Sequence, residues 1–300
     1  MIRSFNDLLE IGRAGEKKVL SVAAAHNKGV LEAVKHARDE GLIEPILVGR
    51  KDEIEGIAGE IGLDLAGLEI VDEADDLQAA TEATKLVSSG RADILMKGIL
   101  GTATILSQVL NRDYGLRAGR PLSQAVLFEI SSYHKMFIGT DFAFNIAPDL
   151  DTKKSIIDNA VGLAHAIGID EPKVAVLAAL EKVNPKMVAT LDAQSLTRMN
   201  EAGEIKGCKV YGPLAMDNAV SKESARIKGI DSDVAGDADI FLAPDIEAGN
   251  ILYKSLTFLG GAKSAGIVLG AKAPVIITSR ADSSVDKFNS IVLATILANK

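Results

Sequence analysis

Short apolar runs alternate along the chain with stretches whose apolar residues recur every three to four positions. Residues 18–24 (KVLSVAA) form the first such run, the pattern of a buried strand. The segment after it puts Val30, Leu31, Val34 and Ala37 on one helical face and stops at Gly41. The alternation then repeats: a strand over 45–49, a helix over 51–62, a strand over 68–71, a helix over 76–90 closing on a glycine, a strand over 92–98 and a helix over 102–110. Repeated strand–helix units predict an α/β fold with a mostly parallel sheet.

The polar segment 111–121, with Gly115, Gly119 and Pro121, breaks this rhythm and marks a crossing into a second domain. Beyond it, strands are predicted over 122–129 and 136–140, close enough to form an antiparallel hairpin. Strands then follow over 173–180, 208–214, 240–244, 265–269 and 274–278. The helices among them are predicted over 152–167, 185–200 and 249–259, and the chain ends in an amphipathic helix over 285–297.

Composition narrows the picture. Hydrophobic residues make up 47% of the 300 and aromatics only 4%, so the core must be aliphatic. The net charge of -8 lacks the basic footprint of a nucleic-acid binder, so any positive charge that meets an anion must be local. The one cysteine, Cys208, excludes an intramolecular disulfide and is read as a buried small residue rather than a reactive thiol. The N-terminal segment has no signal-peptide pattern and no apolar stretch reaches membrane-spanning length, so a cytoplasmic protein without a membrane partner is expected.

Sites in α/β sheets lie where strands run into helices at their C-terminal ends. After 274–278 comes Ser279-Arg280-Ala281-Asp282-Ser283-Ser284, then a helix. Its hydroxyls, the planar guanidinium of Arg280 and the helix N-terminus suit an anion, and Asp282 and Asp286 are candidate bases. Taken alone, the segment fits a plain helix cap by Asp282 or Ser283 equally well. After 92–96 comes Lys97-Gly98-Ile99-Leu100-Gly101-Thr102-Ala103-Thr104, with a point charge, glycines for close backbone approach and the hydroxyls of Thr102 and Thr104. After 240–244 come Asp245 and then Gly249-Asn250, read as a helix start. Asn184, Asp217 and Asn218 end two further strands. None of His26, His36, His134 and His165 has metal-ligand spacing, and neither a G-x-G-x-x-G fingerprint after a strand nor a G-x-S-x-G elbow occurs.

Together these segments resemble the phosphate acetyl/butyryltransferase family over nearly the whole chain. The likeness is carried by Met96-Lys97-Gly98, Asn145-Ile146-Ala147-Pro148-Asp149, Glu181-Lys182-Val183-Asn184-Pro185, Gly212-Pro213-Leu214-Ala215-Met216-Asp217-Asn218, Pro244-Asp245-Ile246-Glu247-Ala248-Gly249-Asn250 and Ser279-Arg280-Ala281-Asp282-Ser283. The compact length and the Ser-Arg-Ala-Asp-Ser form are more similar to the butyryl branch. The resemblance implies two α/β domains around a cleft, as in the isocitrate/isopropylmalate dehydrogenase group. It divides the chain into residues 1–120 with 270–300, and residues 121–269. It implies a homodimer or higher homo-oligomer that converts butyryl-CoA, or another short or branched acyl-CoA, and phosphate to acyl phosphate and CoA. No metal and no bound cofactor is implied, the CoA thioester being a substrate. The family's catalytic pair falls on Ser279 and Arg280, and the base on Asp286 by spacing or Asp282 by signature. Substrate contacts fall on Lys97, Gly98, Thr102, Thr104, Asn184, Asp217, Asn218, Asp245, Gly249, Asn250 and Ser283. Where the acetyltransferases carry a coenzyme-binding Arg, Gln108 stands here, leaving Lys97 or Arg112 to replace it or the coenzyme to sit differently. The alternatives are an acetyl- or propionyl-specific enzyme of the family, an NAD- and metal-dependent oxidoreductase of the same fold, and a non-catalytic CoA- or phosphate-binding protein.

Overall fold

The computed structural model describes residues 2–279 and 281–299. The chain forms two compact units. One comprises Phe5–Arg120 and the chain from Ala265 onward, and the other comprises Pro121–Ser264 with the residues ahead of Phe5.

In the unit that begins at Phe5, the strands are β1 (Lys18–Ala23), β2 (Ile43–Gly49), β3 (Glu69–Asp72), β4 (Ile94–Lys97), β10 (Lys263–Leu269) and β11 (Val275–Ile276). They lie in the order β3-β2-β1-β4-β11-β10. The pairs from β3 to β11 are parallel, with Ala23 opposite both Val48 and Lys97, and Ile276 opposite Met96. Only β10 runs antiparallel to its neighbour β11. The helices are α1 (Phe5–Ala14), α2 (Lys28–Asp39), α3 (Lys51–Ile61), α4 (Asp76–Ser88), α5 (Thr102–Val109) and α11 (Ser284–Ala298). The apolar stripe over 30–37 is real: Val30, Leu31, Val34 and Ala37 are all buried on α2. Asn27 caps α2 and Asp75 caps α4, each accepting a first-turn N–H. Helix α1 is amphipathic: Phe5 and Leu8 are buried, and it packs on α11.

The other unit holds β5 (Ser123–Glu129), β6 (Phe137–Thr140), β7 (Lys173–Leu177), β8 (Lys209–Leu214) and β9 (Ile240–Leu242), in the order β5-β6-β9-β7-β8. The β5–β6 hairpin is antiparallel and the remaining pairs are parallel. The helices are α6 (Leu150–Ala166), α7 (Val188–Glu201), α8 (Met216–Val220), α9 (Lys222–Ile227) and α10 (Ile246–Lys254), which runs into a π-helical turn, Ser255–Leu259. Most of the scarce aromatics gather in this core. Phe137 lies 5.2 Å from Phe128 and 4.9 Å from Phe241 between ring centroids, and Phe142 packs with them. At the N-terminal ends of these strands Lys173 and His134 bind Asp237, at 2.5 and 2.8 Å, and Lys135 binds Asp239 at 2.6 Å. The network satisfies itself and ties three strand starts together. Among the described residues no helix is long and apolar enough to cross a membrane.

Asp141, after β6, shows how this unit builds its polar loops. It is 3% exposed, and its carboxylate accepts the N–H groups of Gln124, Phe144 and Asn145, each at 3.1 Å, that of Ala143 at 3.3 Å, and Asn145 Nδ2 at 2.6 Å. Burial pushes the carboxyl above the usual carboxylate range, and these donors pull it back. Asp141→Asn replaces one oxygen with an N–H2 that faces donors. It should lower stability by about 2 kcal/mol, read as a shifted urea midpoint with an unchanged slope.

Candidate active site

Because β1, β2, β4 and β11 are parallel, their C-terminal ends share one edge of the sheet. Strands β4 and β11 are direct neighbours there. The turn after Lys97 and the segment after Thr278 therefore leave the sheet side by side.

Lys97 is the last residue of β4 and only 3% exposed. Its Nζ donates to the carbonyls of Gly98 at 3.1 Å and Leu100 at 3.2 Å, which wraps the turn around its own ammonium. Gly98 makes its close approach to β1: its N–H donates to Ala23 O at 2.7 Å, and that of Ile99 to Ala24 O at 3.1 Å. A Cβ on Gly98 would lie 2.7 Å from Ala23 O. Ala24 itself holds a left-handed φ of 53°, a costly conformation for a residue with a Cβ. Gly101 caps α5 without a side-chain bond, and Thr102 and Thr104 stand in the first turn, exposed and half-buried. Gln108 does not reach outward in place of a coenzyme-binding Arg. It is 7% exposed, its Oε1 accepts from Thr81 at 3.1 Å and Tyr114 at 2.5 Å, and its Nε2 donates to Ser107 at 2.8 Å.

Beside this turn, the Ser279 N–H donates to Asp282 Oδ2 at 2.7 Å, the Asp282 N–H donates to Ser279 O at 3.2 Å, and Ser279 Oγ accepts from the Ala281 N–H at 3.3 Å. Arg280 lies outside the described residues. Ser283 caps α11 reciprocally with Asp286: its Oγ accepts the Asp286 N–H at 3.1 Å and donates to Asp286 Oδ2 at 2.6 Å. The cap of this segment divides by residue. Ser283 and Asp286 build the cap, while Asp282 orients Ser279.

In the other unit the C-terminal edge carries the remaining candidates. Asn218 is fully buried and its Nδ2 reaches Glu181 Oε2 at 3.5 Å. Lys228 Nζ meets Glu181 at 3.1 Å and Asp217 at 3.4 Å, and Ser224 Oγ donates to Asp217 at 2.7 Å. The Ser224 hydroxyl, with Lys228 behind it, holds the Asp217 carboxyl below the usual range, which makes it a poor proton acceptor. Asn184 closes the loop before α7, its Oδ1 accepting from Lys186 N at 3.0 Å and its N–H donating to Thr190 Oγ1 at 2.9 Å. Helix α10 starts at Ile246, not at Gly249. Asp245 is its N-cap, accepting from Ala248 N at 2.9 Å, so Gly249 and Asn250 sit in the second turn. Gly249 is needed for packing, since a Cβ there would lie 2.9 Å from Asp141 O, and Asn250 Nδ2 reaches Phe142 O at 3.4 Å.

The profile of the family described as phosphate acetyl/butaryl transferase matches residues 76–295. The chain belongs to this family. It is 49% identical to the phosphate butyryltransferase of Clostridium acetobutylicum over 298 residues, 99% of each chain. It is 45% identical to the phosphate acetyltransferase of Thermotoga maritima over 291 residues, covering 97% of this chain and 98% of that one. The crystal structure of a branched-chain phosphotransacylase from Enterococcus faecalis V583 superposes with a TM-score of 0.82 at 35% identity, covering 94% of this chain and 99% of that one.

Two side chains of this family member escaped the reading of its sequence. His26, set apart above only for lacking metal-ligand spacing, is 6% exposed, and its Nδ1 has no partner among the described residues. Burial first, then Arg50, lowers its pKa below the usual histidine value. Lys287 is 5% exposed in the first turns of α11. A signal for it does exist: Lys287 falls on the stripe 287, 290, 291, 294, which is otherwise uncharged.

Cys208 is 8% exposed, and burial, then Asp158 and Glu171, push its thiol up to about 11. Thiolate is therefore scarce at neutral pH. Native protein at pH 7.5 should react with a thiol reagent at least ~100-fold more slowly than protein in denaturant, measured by absorbance of the released chromophore.

Proposed function

We propose that this chain is a phosphate acyltransferase that converts butyryl-CoA, or another short or branched acyl-CoA, and inorganic phosphate to acyl phosphate and CoA. The observation that carries the reading is the parallel pairing of β4 with β11, which sets the Lys97 turn beside the Ser279 segment in a chain similar to a phosphate butyryltransferase along its full length.

A phosphate oxygen attacks the thioester carbonyl, the tetrahedral intermediate collapses, and CoA leaves as thiolate and takes a proton. The reaction brings anions together, so fixed local cations and N–H donors lower its barrier most. Arg280 would hold the phosphate in line and offset its charge. Ser279 would donate to the oxyanion. Lys97 adds a second positive charge at the same sheet edge. Thr102 and Thr104, in the turn after Lys97, are assigned contacts to the substrates. In the reverse direction the CoA thiol must lose its proton, and Asp282 or Asp286 takes it. The similarity to a phosphate acetyltransferase supports a second reading, an acetyl-specific enzyme. The proposal expects a cytoplasmic homo-oligomer with no cofactor beyond its CoA substrate, and a fold of the isocitrate/isopropylmalate dehydrogenase group.

Thiol release from acetyl-, butyryl- and isobutyryl-CoA, with and without phosphate, tests the reading. Release should require phosphate and be fastest with a four-carbon chain. A faster acetyl rate moves the chain to the acetyl reading, and no phosphate-dependent release from any short acyl-CoA overturns both. Arg280→Ala should lower kcat/KM for phosphate by about 100-fold or more with the thermal midpoint unchanged. Asp282→Asn and Asp286→Asn both keep a side-chain carbonyl for their local donors. A matched loss of kcat/KM in both directions, with the thermal midpoint unchanged, therefore identifies the proton-transfer group.

A further inference from the structure

Lys287 is buried where a lysine is least favoured. Only 5% of it is exposed, so its ammonium has lost most of its hydration. It is the fourth residue of α11, near the positive end of the helix dipole. Its Nζ lies 4.0 Å from where a Cβ on Gly29 would stand, in the first turn of α2, again a positive helix end. Helix α2 packs on α11 here, and two turns further along α2 His36 stacks on Phe288, the residue after Lys287, with ring centroids 3.7 Å apart. Burial lowers the pKa of Lys287, while the charges of Asp282 and Asp286 raise it.

What the ammonium holds is the main-chain carbonyl of Asp282, to which Nζ donates. The same residue's carboxylate accepts the Ser279 N–H at 2.7 Å. The two bonds run in series: Lys287 fixes the peptide after Asp282, and Asp282 fixes Ser279. Asp286, one residue before Lys287, meanwhile locks Ser283 into the helix cap. The loop from Ser279 to Ser283 is thus tied at its start through Asp282 and at its end through Ser283, and Lys287 links the first tie to the body of α11.

We propose that Lys287 is the positioning residue for the Ser279–Asp282 loop, holding Ser279 in register for the phosphate through the carbonyl of Asp282. The role rests on the acyl-transfer reading above. Lys287 touches no substrate in it. Its contribution is to keep the loop within the tolerance that in-line transfer demands, and to place a fixed positive charge beneath two carboxylates that would otherwise repel the incoming anion.

The test is steady-state kinetics of phosphate-dependent CoA release from butyryl-CoA with the full chain, alongside circular dichroism and thermal midpoints. Lys287→Met keeps the length of the side chain and removes the donor. It should lower kcat/KM for phosphate by about 100-fold, while KM for butyryl-CoA changes by no more than about twofold. Lys287→Ala leaves a space that ethylammonium fits and tetramethylammonium does not. Ethylammonium should restore part of the rate, and tetramethylammonium at equal ionic strength should not. Wild-type phosphate kinetics in Lys287→Met would overturn the role. So would parallel losses for both substrates that track the thermal midpoint, or loss of fold in both variants without rescue, since these assign Lys287 to stability alone. An inactive wild type overturns the acyl-transfer reading and this role together; an active wild type with unaffected variants overturns this role alone.

Discussion

The parallel pairing of β4 with β11 is the constraint from which the polar edge of the Phe5 unit follows. Parallel neighbours must be reached by crossover, and they end on the same side of the sheet. Here the crossover is extreme in sequence: β4 ends at Lys97 and β11 begins at Val275. A short strand of two paired residues is enough, because β4 on one side and β10 on the other hold it in place. Moving β11 by one residue against Met96 would exchange the sheet faces of Val275 and Ile276 and displace the segment that follows.

That edge is assembled from buried charges whose partners include backbone groups. Lys97 takes the carbonyls of Gly98 and Leu100, and Lys287 takes that of Asp282. In the other unit Asp141 takes four backbone N–H groups. A dipole satisfies a buried charge without cancelling it, whereas a salt bridge does both. The contrast lies within the same molecule. At the N-terminal strand ends, Lys135 and Lys173 pair with Asp239 and Asp237, with His134 bonded to Asp237 as well, and that network ties strands by direct ion pairs. A protein of net charge -8 that is proposed to bind phosphate needs its positive charge to be local.

The element pattern was legible because periodicity is a local property. The strands at 18–24 and 45–49, the α2 stripe and the hairpin all stand near their expected positions. Boundaries were less legible. The start of α10 lies at Ile246 because Asp245 supplies the capping oxygen, and Gly249 is kept for packing instead. Helix α1 packs on α11, a contact between the two ends of the chain that no local pattern encodes. The candidate loops were legible as strand ends, and the family motifs singled out their residues. The wiring among those residues was not. That Asp282 orients Ser279 while Asp286 serves the cap depends on distances of 2.7 and 2.6 Å that no spacing rule encodes. His26 and Gln108 were hidden for a related reason: their type suggests solvent or ligand, and only the fold shows them buried. Lys287 was legible in principle, because it falls on an otherwise uncharged helical stripe.

The carboxylates at 282 and 286 raise a point about direction. In the proposed reaction, phosphate attacks as an anion and CoA leaves as a thiolate, so bond making and bond breaking need no base. A base is needed only when CoA attacks an acyl phosphate, because the thiol must first lose a proton. Both carboxylates already hold donors of their own loop. The proton taken from the thiol must return when the reaction reverses, so one group serves as base in one direction and as acid in the other. The local ties that make these residues look structural are therefore compatible with a part in the chemistry, and they place the demand for accurate positioning on the loop between Ser279 and Ser283.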